Sequence, residues 1–478
     1  MAKVKKAVVK EETNKIQFGT DGWRGQMARQ FTFNNVRRVA QAIAEYVKEE
    51  PGAIKKNTPI VIGYDYRFQS DDYAKEIAHI LDANDLRPIL LDETVPTPAI
   101  SYLTKKLKAL GLMVTASHNP APYNGIKIKL DGRAATEDVT AAVESFIDRS
   151  NPMRHGKGRI QNKSFRKDYL SYIRSQINPS SFFGRIKRPV VIDYLHGASA
   201  GLFGEMIKSS KLIEMHSERD PLFGGLHPEP IEENLEALKA RVISEKAVIG
   251  IALDGDGDRF ALIDDKGRYM TPCQVFPMLI EYLVSVKKLK GKIVQSVSMG
   301  YLSARLAEAY GLPFEQLPVG FKHVAAQIAS GDAVIGGEES GGYAWKGGIP
   351  ERDGLLTGLL FLEMCAKTKK SPSQLWELIE KKYGKSCFKR IDFKTRRTVD
   401  KETFTKKITK KLTKKVCGSA IAQVLDFDGV KVILEDGHWV LMRPSGTEPL
   451  VRTYAESDSP KRTQELLDTA AKWVNAQL

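Results

Sequence analysis

Three times along this chain a run of strand and helix signals ends in an apolar strand that feeds a polar loop, and this repeat constrains the fold more than any other feature. In the first copy, Pro59–Asp65 reads as a buried strand and the residues through about Leu81 as a helix. Pro88–Leu91 is a second strand. Gly111–Val114 is a third, and it runs into Thr115-Ala116-Ser117-His118-Asn119-Pro120. In the second copy, Pro189–Asp193 is a strand, a helix follows, and Ala247–Leu253 leads into Asp254-Gly255-Asp256-Gly257-Asp258-Arg259. In the third, Lys292–Val297 is a strand, a helix follows, and Ala333–Ile335 leads into Gly336-Gly337-Glu338-Glu339-Ser340-Gly341-Gly342. Strands alternating with helices imply mainly parallel sheets, whose ligand loops lie at the C-terminal ends of strands. The expectation is an α/β chain of three similar domains, each offering one loop to a shared cleft.

After about Lys370 the texture changes to lysine-rich sequence with short β-like runs, Val430–Leu434 and Trp439–Met442, and a final helix from about Pro460. A smaller α+β domain is expected there. Its turn Arg443-Pro444-Ser445-Gly446-Thr447-Glu448-Pro449 offers a guanidinium, hydroxyls and backbone N–H groups, a phosphate cradle. With 478 residues the chain is too long for one core. The boundaries are placed at 1–155, 156–268, 269–375 and 376–478.

The acidic loop is the most specific chemical signal. Carboxylates at alternate positions repel unless a cation neutralises them, and oxygen-only ligands favour magnesium before calcium. An EF-hand is excluded because Arg259 stands where that loop requires glycine and Asp265 where it requires glutamate. A solvated acidic turn is the alternative. Ser117 sits on a turn carried by a strand, where an exposed hydroxyl can act as a covalent nucleophile or be an ordinary polar-turn serine. The opening loop, Phe18-Gly19-Thr20-Asp21-Gly22-Trp23-Arg24-Gly25, has three glycines and a guanidinium suited to phosphate, which by itself is also compatible with a plain turn. Gly197-Ala198-Ser199-Ala200-Gly201 matches a nucleophile elbow, but neither His323 nor His438 sits in a loop that would complete a hydrolase triad.

The formal charge of +15 allows nucleic acid, an anionic membrane or small anions as partners. The run Lys406–Lys415 reads as a solvated amphipathic helix with Ile408 and Leu412 on one face, and it lacks the interleaved aromatics of a strand-binding surface. No apolar run is long enough to span a bilayer, and Met1–Lys15 has no signal-like apolar stretch. The four cysteines are widely spaced and read as reduced core thiols, so a cytoplasmic setting is expected. The charge by itself does not choose among these three partner classes.

FGTDGWRG, TASHNPAPYNGIK, DGDGDR, GGEESGG and RPSGTEP, in this order over about residues 16–455, closely resemble the α-D-phosphohexomutase superfamily. That group includes phosphoglucomutase, phosphomannomutase and phosphoglucosamine mutase. The resemblance implies a C-terminal domain like the TATA-box-binding protein. It implies that Ser117 carries the transferable phosphate and that Asp254, Asp256 and Asp258, with a phosphoserine oxygen of Ser117, hold one Mg2+ per chain. Arg24 and Lys127 become candidates for general acid/base catalysis or charge stabilisation. His118, beside the nucleophile, is first a part of the loop, which Tyr123 and Asn124 shape, and second a further candidate for the same acid/base role. Glu338 and Ser340 are the implied sugar-hydroxyl binders. Arg443, Ser445, Gly446, Thr447 and Arg452 are the clamp on the phosphate that stays in place, and Arg259 and Lys322 are further substrate contacts, Lys322 ahead of His323. The implied reaction passes through glucose 1,6-bisphosphate, which is both intermediate and activator. The resemblance further implies a monomer or homodimer that works on a small hexose phosphate, with no nucleic acid and no membrane as partner.

The third loop reads Gly-Glu-Glu-Ser-Gly-Gly, whereas phosphoglucosamine mutases resemble Gly-Glu-Gln-Ser-Gly-His and dual mannose/glucose enzymes Gly-Glu-Met-Ser-Gly-His. Gly342 stands where both carry histidine, which puts the chain nearer phosphoglucomutase. Glucose phosphate is favoured, with mannose, glucosamine or pentose phosphate as alternatives. A metal-dependent phosphatase and a non-catalytic phosphosugar sensor are the competing classes.

Overall fold

A computed structural model describes residues 16–19, 21–49, 58–153, 156–446 and 449–475. The chain divides into two compact units. The first comprises residues up to Tyr169 together with His196–Ser199 and Glu218–Glu229, and the second comprises the rest.

The first unit is built on one seven-stranded sheet. Arg87–Leu91, Pro59–Tyr64 and Leu110–Val114 lie side by side and parallel, and Gln161–Lys163 extends the sheet in parallel beyond Arg87–Leu91. Tyr123–Leu130 then runs antiparallel to Leu110–Val114, and Trp23–Gln26 antiparallel to Tyr123–Leu130. The helix Ser70–Ala83 packs on the three parallel strands, and Phe33–Glu49 packs beside it. Val36, Val39, Ala40, Ile43 and Val47 of Phe33–Glu49 recur at helical spacing and are buried in the same core as Ile60, Ile62 and Leu112 of the sheet. Full burial of each such Val or Ile side chain contributes roughly 1.5–3 kcal/mol.

The second unit contains three sheets. In one, Val190–Asp193 is flanked in parallel by Leu212–Met215 and Ile249–Leu253, and Phe260–Ile263 returns antiparallel. In the next, Lys292–Ser296 is flanked in parallel by Phe314–Leu317 and Ala333–Gly337, and Tyr343–Trp345 returns antiparallel. The last is a six-stranded sheet, antiparallel throughout, with the helix Pro460–Asn475 packed on it through Leu466, Leu467, Ala470 and Val474.

The repeat seen in the sequence is therefore more specific than a parallel α/β unit. In all three α/β sheets the polar loop connects a buried parallel strand to an antiparallel neighbour. Such a loop is anchored by hydrogen-bonded strands at both ends, which suits it to hold chemical groups in fixed positions.

Some boundaries differ from expectation. Gly336 and Gly337 belong to the strand Ala333–Gly337, paired with Val294 and Gln295, and they must be glycine because a Cβ at Gly336 would come within 2.3 Å of Val324 and one at Gly337 within 2.9 Å of Phe276 and Tyr343. The lysine-rich helix is Lys401–Thr409, so Leu412 lies beyond it, yet Phe404, Ile408 and Leu412 all pack into the same core. Cys273 and Cys365 are buried thiols, whereas Cys387 and Cys417 are only partly covered. No helix among the described residues is long and apolar enough to cross a membrane.

Candidate active site

The Ser117 loop is built around a buried arginine. Arg67 follows the strand Pro59–Tyr64 and is completely covered. Its Nη2 donates to the carbonyls of Ser117 and Asn119 (2.6 Å each), and its Nη1 to those of Pro120 and Tyr123 (3.0 Å each). Asp65, also buried, lies 3.3 Å from the Arg67 Nε and accepts from the hydroxyls of Thr115 (2.5 Å) and Ser70 (2.7 Å). Thr115 in turn accepts from the Ser117 N–H (2.8 Å). Ser117 is held at φ 54°, a left-handed conformation that disfavours side chains. It is 1% exposed, less than a turn-tip hydroxyl would be, because the loop curls over the guanidinium instead of projecting into water. Its Oγ lies 3.4 Å from Nδ1 of His118, and Nε2 of His118 lies 4.0 Å from Glu229.

Two further expected residues join this loop. Arg24 donates to the Asn119 side chain (2.6 Å). Lys127, 1% exposed, lies 2.7 Å from Asp21, which also approaches Lys129 (3.5 Å) and Arg24 (4.0 Å). A close backbone approach explains Gly22, which has φ 107° and would place a Cβ 2.5 Å from the Ile126 carbonyl.

In the second unit, Asp254, Asp256 and Asp258 are all buried, and one oxygen from each lies within 4.8 Å of the others. Burial, and then repulsion from Asp256 and Asp258, pushes the Asp254 carboxyl well above the usual range. A hard divalent cation would remove that repulsion, so three oxygen donors in this cluster fit such an ion. Arg259 caps the loop, its N–H donating to Asp254 (3.0 Å).

The Gly-Glu-Glu-Ser-Gly-Gly loop adjoins the acidic loop. Arg352 donates to Asp258 (2.6 Å) and reaches within 3.8 Å of Glu338. Glu338 accepts from the Gly320 N–H (2.7 Å), and the Ser340 hydroxyl lies 3.5 Å from it. Burial pushes the Glu338 carboxyl up to about 7, against the pull of Arg352. Lys322 and His323, both partly exposed, open the helix Phe321–Ala329 just after Gly320. Glu339 is held by the Ser298 hydroxyl (2.7 Å) and the Tyr454 hydroxyl (3.2 Å).

The segment around Arg443 connects to the same network. Asp428 accepts from Val319 N–H (2.7 Å) and from Arg443 Nε (2.9 Å), with Lys401 beside it, which sets Arg443 next to the Val319–Lys322 segment. Arg452 is the cross-strand partner of Arg443, and Ser445 is buried with its N–H on the Leu450 carbonyl. Gly446 is exposed, and Thr447 lies outside the described residues.

The alpha/beta/alpha domains I, II and III of phosphoglucomutase/phosphomannomutase match residues 15–153, 167–267 and 271–383, and the C-terminal domain of that family matches residues 397–472. The chain belongs to the phosphoglucomutase/phosphomannomutase family. A Methanosphaera stadtmanae protein named "Probable phosphoglucosamine mutase" is 32% identical over 96% of this chain and 97% of its own length. A phosphoglucomutase/phosphomannomutase of Thermococcus kodakarensis is 29% identical over 96% of this chain and 99% of its own. A Thermus thermophilus crystal structure, provisionally named a phosphomannomutase, superposes with a TM-score of 0.84 at 32% identity, over 96% of this chain and 99% of that one.

Within each unit of this phosphohexomutase-family chain, the candidate loops are held by charges that the sequence analysis did not single out: Asp21, Asp65 and Arg67 in the first, and Arg352 and Asp428 in the second. Asp65 and Arg67 leave a faint signal, two opposite charges directly after an apolar strand. The other three are ordinary charges in the sequence and gain meaning only from their partners in space. The elbow-like Ser199 is fully buried, unlike a hydrolase nucleophile.

Proposed function

We propose that the chain interconverts hexose 1-phosphate and hexose 6-phosphate, with glucose as the hexose, through a phosphoserine at Ser117 and a sugar 1,6-bisphosphate. The observation that carries this reading is the recurrence of one topological element, a parallel strand returning antiparallel, that presents a serine once, three aspartates once and a buried glutamate once. Family membership makes a phosphosugar mutase the expected reaction type.

In this reading Ser117 gives its phosphoryl group to a sugar hydroxyl and later recovers a phosphoryl group from the other end of the bisphosphate. Asp254, Asp256 and Asp258 hold one Mg2+, together with an oxygen of the phosphorylated serine. When bound, that ion supplies charge neutralisation for the transferring group. Arg24 and Lys127 add positive charge close to the Ser117 loop, where phosphoryl oxygens gain negative charge. Glu338 and Ser340 bind sugar hydroxyls. Arg443, Ser445, Gly446, Thr447 and Arg452 bind the phosphate that is not being moved, with Arg259 and Lys322 as further contacts. A clamp indifferent to which end it grips is what a bisphosphate that turns over requires. A cytoplasmic monomer or homodimer acting on small molecules completes the proposal.

Glucosamine phosphate is the second reading, favoured by the name of the Methanosphaera stadtmanae relative. The loop difference bears on it weakly. Glu339, at the position of the glutamine in the resembled phosphoglucosamine pattern, faces Ser298 and Tyr454, so it packs the loop. Coupled assays of glucose, mannose and glucosamine 1-phosphates side by side test the choice. Free phosphate released in place of an isomerised sugar phosphate would refute the mutase reading in favour of a phosphatase.

A further inference from the structure

Gly342 departs from the histidine of the resembled patterns, and the structure shows a reason for the missing side chain. Its backbone needs no left-handed conformation, since it is not among the positive-φ residues. It needs space. A Cβ there would lie 2.1 Å from Cδ and 2.7 Å from Cγ of Arg352. The methylenes of Arg352 thus run through the volume a side chain at 342 would take.

That path takes the guanidinium to three places. Nη2 donates to Asp258 of the acidic loop at 2.6 Å. Nη1 lies 3.8 Å from Glu338 of the sugar loop. The guanidinium carbon sits 5.2 Å from the centroid of the Phe321 ring, in the helix that begins beside Glu338. The side chain is 9% exposed, so these charges act on one another with little screening by water. The two loops are also joined through backbone: Phe260 N–H donates to the Gly341 carbonyl (3.0 Å), and a Cβ at Gly341 would strike the Phe260 carbonyl at 2.5 Å. The glycine pair therefore lets the sugar loop lie against the acidic-loop hairpin and lets one arginine pass between them.

We propose that Arg352 is a positioning residue for sugar recognition, using the channel left open by Gly342 to hold the Glu338 carboxylate in place for sugar hydroxyls while its other nitrogen fixes Asp258. The inference rests on the proposed function, because it assigns Glu338 to the sugar. It makes Gly342 and Arg352 a matched pair: any side chain at 342 displaces the arginine. A lysine at 352 keeps the charge but, without a planar fork, serves one carboxylate at a time.

The test is calorimetric binding of glucose 6-phosphate to the full chain in the presence of EDTA, so that the readout depends neither on turnover nor on a bound ion. Arg352→Met and Glu338→Gln are each expected to weaken binding about tenfold, and Gly342→Ala to do the same although it leaves the arginine in the chain. The Glu338→Gln/Arg352→Met double variant is expected to be no weaker than either single change, because both remove one interaction. Arg352→Lys is expected to fall between wild type and Arg352→Met. Independent losses that multiply to about a hundredfold in the double variant would overturn the proposal, as would unchanged binding in Gly342→Ala and Arg352→Met. If Arg352→Met fails to fold, Arg352→Lys and Gly342→Ala decide by the same criterion. Wild type that binds no glucose 6-phosphate but binds glucosamine 6-phosphate would refute the choice of glucose, and the series is then read with the amino sugar. Wild type that binds neither overturns both readings.

Discussion

Replacing Arg67 by methionine removes the cation around which the Ser117 loop is folded. The side chain is fully buried, bonds four loop carbonyls and sits against the equally buried Asp65. Methionine is similar in volume, shorter, and has no donor. Four carbonyls lose a charged donor, and Asp65 loses its only cation within 4 Å among the described residues. Removing one partner of a buried ion pair destabilises by about 3–5 kcal/mol. The four lost bonds add less than their separate sum, because the loop relaxes and water enters. At about 2–4 °C per kcal/mol for a unit of this size, the melting temperature should fall by roughly 6–20 °C. A loop that relaxes by about 1 Å also moves the Ser117 hydroxyl, and such a displacement lowers turnover by about a hundredfold.

Thermal unfolding followed by circular dichroism and coupled mutase assays reads both effects, with intact-mass measurement of phosphoserine as a third. Arg67→Lys is expected between wild type and Arg67→Met. An Arg67→Met protein that melted within about 2 °C of wild type and kept full turnover would refute the claim that this guanidinium organises the loop.

Ser117→Ala is expected to lower mutase turnover by a factor on the order of 10³ or more and to abolish phosphoprotein in the mass spectrum; retained turnover would exclude Ser117 as nucleophile. Asp256→Asn is expected to lose Mg2+-dependent thermal stabilisation while making the EDTA-treated protein more stable, because each carboxylate pair at a separation of 4.8 Å or less repels by about 3 kcal/mol or more at an effective dielectric constant of 20; an unchanged Mg2+ response would dismiss the triad as the ion site. For Glu338 the folded carboxyl titrates near 7 against an ordinary 4.5. Between those values the folded state holds the extra proton, so this group's stabilisation is complete below pH 4.5 and is lost as the pH rises through 7, by up to about 3 kcal/mol. Glu338→Gln should therefore gain stability over wild type between pH 5 and pH 8.5, and parallel stability curves would contradict it.

The three polar loops were legible because each follows an apolar strand and concentrates residue types that serve no core: alternating aspartates, paired glutamates between glycines, a serine before Asn-Pro. The strands that were read, short apolar runs, lie within a residue or two of their observed bounds, but strands mixing polar and apolar residues, such as Leu212–Met215, Phe314–Leu317 and Cys387–Lys394, were not read at all. What stayed hidden were the antiparallel returns after each loop and the charges that fix the loops. Tyr123 and Asn124 read as part of the Ser117 loop, whereas they open the strand Tyr123–Leu130, and nothing local states that it pairs back onto Leu110–Val114. Arg67 lies about 50 residues from the carbonyls it bonds, and Arg352 lies 94 residues from Asp258.

By itself the sequence determined the repeat, the reactive residue types and their family pattern, since these depend on local order along the chain. The tertiary structure alone decided which charges face one another. It shows Asp21 between two lysines and Arg24, Arg67 inside the serine loop, and Arg352 in the gap at Gly342. Electrostatic partnership depends on distance in space and on burial, and sequence separation carries neither.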